Sequence, residues 1–491
     1  MMGPSCQPSP LADSPHLPSM LITRPGLHPF GMSASEEFWT VNPATETRLA
    51  SYPMMDTEFA LRQVRRSAEA FTSWRERTVE ERCELLLSLA KTLRAMSARC
   101  SRTMTHEMGK PIKQSEAEME KCAWSLEVLA EEAPEWLKEE EVKLDGEKGI
   151  VSFEPLGVIL GIMPWNFPAW QVVRFAGPAL AAGNAVVLRH SNVVPGTALL
   201  LQEAFREAGF ADGVFNVLIT GHHSTEYLIA SEDVRGVSFT GSTEAGSRIA
   251  SLASKYLKKS VLELGGSDPF IVLNDADVPK AAQVGAESRL INSGQSCINA
   301  KRFIITEDVY EQFRDAFVKE VQSYIVGDPL DPMTDVGPLV REAALRECES
   351  LVRDAVKKGA RVLTGGQRRP GRGYFFEPTV LENVSQKMKV MEQEVFGPIA
   401  PLVKVKDEEE AIRFANATPF GLGAAIWTRD TERGWRLGRR LEAGAVFVNG
   451  LVRSDPRMPF GGVKDSGYGR ELSKFGIREF TNVKAMWACR A

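Results

Sequence analysis

Histidine and cysteine are scarce in this chain, and neither is patterned. Six histidines, at 16, 28, 106, 190, 222 and 223, are scattered over 491 residues. None sits in a hydrolase motif, which argues against a cysteine hydrolase or acyl transferase needing a histidine base. The seven cysteines, at 6, 83, 100, 122, 297, 348 and 489, are odd in number and contain no CxxC. That pattern argues against a disulfide framework or a zinc site, and no metal is expected; a reducing compartment, the cytoplasm, fits better. There is no strongly basic block and the net charge is −5, so nothing electrostatic points to nucleic acid or an anionic membrane. The longest stretch without formal charge, 155–173, holds Pro155, Pro164 and Pro168. Three prolines break a spanning helix, so the stretch reads as a buried strand and the turn after it.

What is present describes a multidomain α/β protein. A chain of 491 residues exceeds one hydrophobic core, so two or three domains are expected. Hydrophobic residues at 43% and charged residues at 25% are ordinary for a globular protein. The first 31 residues are proline-rich, carry only Arg24 as a basic residue and have no signal-peptide pattern, so they read as a disordered tail. Met-Ser-Ala-Ser-Glu-Glu from Met32 resembles a protein start, and translation is expected to begin there. Leu61, Val64, Ala68 and Phe71, then Leu86, Leu89, Ala90 and Leu93, recur at helical spacing, so 57–137 reads as amphipathic helices. The acid-rich run Glu131 to Glu141 reads as a solvated helix end. From Ile150 short β-prone runs (158–160, 185–188, 213–217, 237–239) alternate with helical patterns such as 195–208. A second alternating block runs from Phe270 to about Val448. Such alternation predicts parallel sheets with crossover helices.

Two glycine-bearing turns carry the chemistry. Glu263 lies in Val-Leu-Glu-Leu-Gly-Gly-Ser, and Cys297 follows 34 residues later in Asn-Ser-Gly-Gln-Ser-Cys. A cysteine alone is more often a buried structural thiol. This one sits in a polar, glycine-bearing segment unlike core. A thiol nucleophile and a carboxylate that activates water are the two parts needed to make and hydrolyse a thioester. Leu262 and Leu264 predict partial burial of Glu263, which raises its pKa toward a useful base; the alternative is a solvated glutamate at a strand end. Asn166, in Pro-Trp-Asn-Phe-Pro, is either a turn residue or an amide donor. Phe239-Thr-Gly-Ser242 follows a β-prone run and precedes a helical one, which suits a pyrophosphate at a helix N-terminus, although it is not GxGxxG.

These segments together resemble the aldehyde dehydrogenase superfamily, from about Phe38 to the C-terminus. The resemblance implies an aldehyde dehydrogenase-like α/β fold, with two Rossmann-like domains and a bridging β oligomerisation element. It assigns 1–37 to the tail, 38–137 and 156–261 to a dinucleotide-binding domain, 262–471 to a catalytic domain, and 138–155 and 472–491 to elements that pair with another subunit. It implies Cys297 as nucleophile, Glu263 as the base of thioester hydrolysis and Asn166 as oxyanion donor. For an NAD or NADP cofactor it implies contacts from Trp165, Phe239, Thr240, Gly241, Ser242, Glu394 and Phe396. The usual lysine on the adenosine ribose is Arg189 here, and Asn192 stands where NAD-preferring members often carry glutamate. No carboxylate there repels a 2′-phosphate, so NADP is expected to be tolerated and the preference stays open.

Within the superfamily the chain is similar to the shorter bacterial succinate-semialdehyde dehydrogenases. Arg174, eight residues after Asn166, corresponds to their carboxylate-binding arginine; otherwise it is a salt-bridged helix arginine. Arg453 or Ser454 is expected to add a second contact. Two positions depart: Ile291 stands where some members carry a second arginine, and Asn299 where some carry a regulatory cysteine. The resemblance implies a homo-oligomer, a dimer or tetramer. Other aldehydes, aliphatic or aromatic, remain alternatives, as does a binding protein on a retired enzyme fold.

Overall fold

The computed structural model describes residues 37–145 and 147–489. The expected tail and the Met32 start lie outside these residues, apart from Glu37, which opens the strand Glu37–Asn42.

Local signals set the helical half. Asp56 caps Thr57–Trp74, accepting from the Phe59 N–H at 2.7 Å, and Thr78 and Glu81 form a reciprocal capping box at Val79–Ala95. Both apolar stripes face inward, with Val64, Leu86, Leu89, Ala90 and Leu93 fully buried. The helix Ile112–Trp136 packs against Val79–Ala95 and Trp170–Ala181. The acid-rich run is split rather than being one helix end. The helix stops at Trp136, and Glu140 and Glu141 enter the strand Glu140–Lys143, paired with Val151 and Ile150. Backbone pairing to Lys148–Pro155 overrides the helical preference of the glutamates there.

The first sheet has six strands in the order Gly467–Tyr468, Lys259–Glu263, Val234–Thr240, Val158–Met163, Ala185–His190 and Phe215–Val217. All neighbours are parallel except the Gly467–Tyr468 edge. Val158–Met163 and Ala185–His190 are buried along their whole length, as expected when helices cover both faces. Parallel strands point their C-terminal ends the same way. The Pro164–Pro168 turn, Gly241–Ser242, Glu263 and the Arg189–Asn192 segment therefore emerge along one edge, where open α/β sheets bind ligands.

The second sheet has seven strands, ordered Arg361–Thr364, Thr379–Glu382, Ile399–Val405, Ala300–Thr306, Asp268–Val272, Gly423–Trp427 and Ala445–Val448. Only the Arg361–Thr364 pairing is antiparallel. The boundary expected at 261/262 falls inside the strand Lys259–Glu263, so Glu263 belongs to the first sheet and residues 264–267 cross to the second. A third, three-stranded sheet joins Glu140–Lys143, Lys148–Pro155 and Thr481–Ala488. No helix among the described residues is long and apolar enough to cross a membrane.

Candidate active site

Asn166 is held at both ends of its amide. Its Oδ1 accepts from Gln171 Nε2 at 3.0 Å, and its Nδ2 donates to the Gln295 carbonyl at 3.1 Å. The amide nitrogen is thereby aimed at the loop that carries Cys297. Behind this turn the buried His190 accepts from the Ser191 N–H through Nδ1 at 2.8 Å and donates from Nε2 to Pro168 O at 2.9 Å. Burial lowers its pKa to about 4, which keeps it neutral in that clamp. Glu118 accepts from the Ala169 and Trp170 N–H groups, each at 2.9 Å, satisfying the start of the helix Trp170–Ala181.

The Cys297 loop approaches through a run of left-handed backbone. Asn292, Ser293 and Gly294 have φ of 52°, 56° and 78°. Side-chain bonds hold the two non-glycine residues in this conformation. Asn292 Nδ2 donates to Asn166 O at 2.8 Å and to Gln295 O at 3.1 Å, and Ser293 Oγ donates to Gly337 O at 2.9 Å. At Gly294 a Cβ would meet the Gly397 carbonyl at 2.3 Å, so only glycine fits. Lys301 Nζ bonds the Cys297 carbonyl at 2.6 Å and Glu394 Oε1 at 2.9 Å. Burial pushes the Cys297 thiol up to about 12, opposed by the charges of Lys301 and Arg174.

Glu263 is only 2% exposed, deeper than the partial burial expected. Neither carboxylate oxygen has a hydrogen-bond partner among the described residues. Burial, then the nearby Glu471 carboxylate, hold its pKa well above the ordinary range, against the pull of Arg174 and Arg470. Arg174 and Glu471 form a buried ion pair, with side chains 3% and 4% exposed. Arg174 also lies over the Phe460 ring at 4.6 Å.

A cavity of about 300 Å³ opens beside Cys297, walled by Phe167, Trp170, Phe460 and Ile291 and by the polar groups of Arg174, Ser454 and Lys121. Of the two residues expected to add a second contact, Ser454 lines this cavity. Arg453 does not: it is exposed and absent from the cavity wall. Burial alternates through Val452, Arg453 and Ser454, so turning Ser454 inward turns Arg453 out.

The remaining expected residues line the sheet edge. Trp165 and Phe396 meet edge to face, with centroids 5.9 Å apart. Glu394 is fixed by Lys301 and by the Gly266 N–H at 3.2 Å; a Cβ on Gly265 would meet its Oε2 at 2.5 Å. Phe239 and Thr240 end their strand buried, and Gly241 N donates to Glu263 O at 3.0 Å. Ser242 caps the helix Thr243–Lys255, accepting from Ala245 N at 3.3 Å, which leaves its hydroxyl proton for another acceptor. Arg189 meets His222 Nδ1 at 3.0 Å, with no carboxylate among its described ion pairs or hydrogen bonds, and Asn192 lies half-buried nearby in sequence. Glycines that admit close approach, a serine-capped helix start with exposed residues and two aromatic rings meeting edge to face suit a dinucleotide.

Glu471, Lys301, Gln295 and Lys121 were not found by sequence reasoning. Lys301 follows Cys297 by four residues and was within reach of a local reading. Lys121 had a weaker signal: Gln114, Glu118 and Lys121 recur at helical spacing among apolar residues. Glu471 had none, because it meets Arg174 only through the tertiary fold. Together the site offers a thiol on the cavity wall, an amide aimed at its loop and a high-pKa carboxylate close enough to bear on it, the parts for forming and hydrolysing a thioester.

Residues 30–486 match the Aldehyde dehydrogenase family. An aldehyde dehydrogenase of Paenarthrobacter nicotinovorans is 42% identical over 91% of this chain and 99% of its own length. The succinate semialdehyde dehydrogenase [NAD(P)+] of Escherichia coli (strain K12) is 42% identical over 92% of this chain and 98% of its own. The crystal structure of succinic semialdehyde dehydrogenase from Streptococcus pyogenes, in complex with NADP+, superposes with a TM-score of 0.90 at 34% identity, covering 92% of this chain and all (100%) of that one. The expected α/β class with Rossmann-like sheets is borne out, and the chain belongs to the aldehyde dehydrogenase family.

Proposed function

We propose that this enzyme oxidises succinate semialdehyde to succinate with NAD(P)+. The observation that carries the reading is Cys297 on the wall of a cavity that also holds Arg174 and Ser454. Trp165, Ser242, Glu394 and Phe396 would hold the dinucleotide, which when bound accepts the hydride. Arg189, with no carboxylate partner among the described residues, leaves room for a 2′-phosphate, and the relatives named for NAD(P)+ or bound to NADP+ agree with that.

The chain's own residues then do the following. Cys297 gives up its proton and its sulfur bonds to the aldehyde carbon, while the Asn166 amide donates to the developing oxyanion. That proton leaves to solvent through the cavity onto which Cys297 opens, so Glu263 is kept for the second half of the reaction. Loss of hydride leaves a thioester on Cys297. Glu263 takes a proton from water, the hydroxide adds to the acyl carbon, and collapse expels the Cys297 thiolate and releases the carboxylic acid.

The apolar walls and Ile291 favour a second reading, an uncharged aldehyde. Reduced nicotinamide formation with succinate semialdehyde, butanal and benzaldehyde, using each dinucleotide, separates them. An advantage of about tenfold or more for the acid aldehyde supports the first reading; equal rates leave a dehydrogenase of other aldehydes. Arg174→Ala is an ambiguous probe, because stranding Glu471 in the interior costs roughly 3–5 kcal/mol.

The third sheet supports a homo-oligomer. Its outer strand Thr481–Ala488 is exposed from Asn482 onward, including Val483, Met486 and Trp487. An apolar edge of that length invites pairing with another chain. Buried free thiols at 83, 100, 122 and 348 fit a reducing compartment, the cytoplasm.

A further inference from the structure

Lys121 is a cation in the cavity that no described side chain neutralises. It stands on the helix Ile112–Trp136, with its ammonium 4.4 Å from the Trp170 ring centroid and donating to Ser454 Oγ at 2.7 Å. The carboxylates around it are engaged elsewhere. Glu118 holds Lys110 and the Ala169 and Trp170 N–H groups, and Asp455 holds Arg457 at 2.8 Å. Arg174 differs: it lines the same cavity, but Glu471 already offsets its charge. Burial, and then the charge of Arg174, lower the Lys121 pKa to about 8. Burying an ammonium without a counter-ion is costly, and a ligand that brings an anion relieves the cost. Ser454, accepting from Lys121, keeps its own hydroxyl proton to donate.

We infer that Lys121, with the Ser454 hydroxyl it holds, receives the carboxylate of a short acid aldehyde beside Arg174, whose own charge Glu471 offsets. The inference rests on the cavity being the aldehyde site and adds a lysine to the expected arginine as a selecting charge. It also accounts for Ile291, since the second cation comes from another element.

The test compares succinate semialdehyde with butanal in the wild type, Lys121→Met and Lys121→Arg. Methionine keeps the apolar packing on Trp170. The kcat/KM ratio of the acid to the neutral aldehyde is expected to fall about tenfold or more in Lys121→Met. The loss should lie in KM, with a parallel rise in the inhibition constant of succinate, and Lys121→Arg should recover most of the ratio. A ratio that stays within roughly threefold of wild type, or a loss shared equally by butanal, overturns the inference. A wild type with no preference for the acid aldehyde sinks the substrate reading and this inference together. A preference that survives Lys121→Met sinks the lysine alone.

Discussion

Two carboxylates act on the Cys297 thiol, and the fold treats them in opposite ways. Glu394 is fastened: Lys301 grips it at 2.9 Å and the Gly266 N–H at 3.2 Å. Glu263 is buried, with no hydrogen bond to either oxygen among the described residues, and another carboxylate, Glu471, bears on it. A fastened carboxylate is suited to holding a ligand hydroxyl in one place. An unfastened, desolvated one is suited to picking up and passing on a proton. The same contrast separates two cations of the cavity, Arg174 with its counter-ion and Lys121 without one among the described residues. Neighbouring groups of the same type can be given different work by what each is denied.

Four substitutions sharpen or break this contrast. Cys297→Ser should abolish reduced nicotinamide formation, by roughly 10⁴-fold or more; retained turnover would remove the nucleophile from the account. Glu263→Gln should lower steady-state turnover by roughly 10²–10⁴-fold. Its pH dependence carries a sign. Burial raises the Glu263 pKa, so the ionised base is depleted until pH passes the ordinary carboxylate range, and wild-type activity should climb with pH. That limb should vanish in Glu263→Gln, and a limb unchanged in the variant assigns it to another group. Asn166→Ala removes the aimed amide donor and should cost roughly 10²–10³-fold in kcat. A change in KM alone would make Asn166 a turn residue. The smallest effect is expected at the sheet edge: Arg189→Ala should raise KM for NADP+ about tenfold more than for NAD+. Equal changes would mean that Arg189 does not meet a 2′-phosphate.

The legible parts of this protein are those that a short segment carries by itself. Strands are announced by the apolar runs 158–163 and 185–188, and Cys297, Glu263 and Asn166 lie in glycine- or proline-marked turns. Arg174 was legible as a residue but not as a partner, because Glu471 comes from a loop near the other end of the chain. Adjacent Arg453 and Ser454 could not be told apart, since which one faces inward depends on how that loop packs. Lys121 was hidden for a related reason: a lysine on an amphipathic helix ordinarily reads as solvated, and only the packed Trp170 and Ser454 reveal its position. Sheet pairing likewise overrode helical propensity at Glu140 and Glu141.

The division of labour between Cys297 and Glu263 is the central claim, and one measurement meets it directly. Glu263→Gln is mixed with dinucleotide and succinate semialdehyde, quenched in acid on the timescale of one turnover, and weighed intact, with peptide mapping. The account predicts one equivalent of reduced nicotinamide and a mass gain of one acyl group located on Cys297, persisting because hydrolysis is slowed. A burst of reduced nicotinamide with Cys297 unmodified would contradict it.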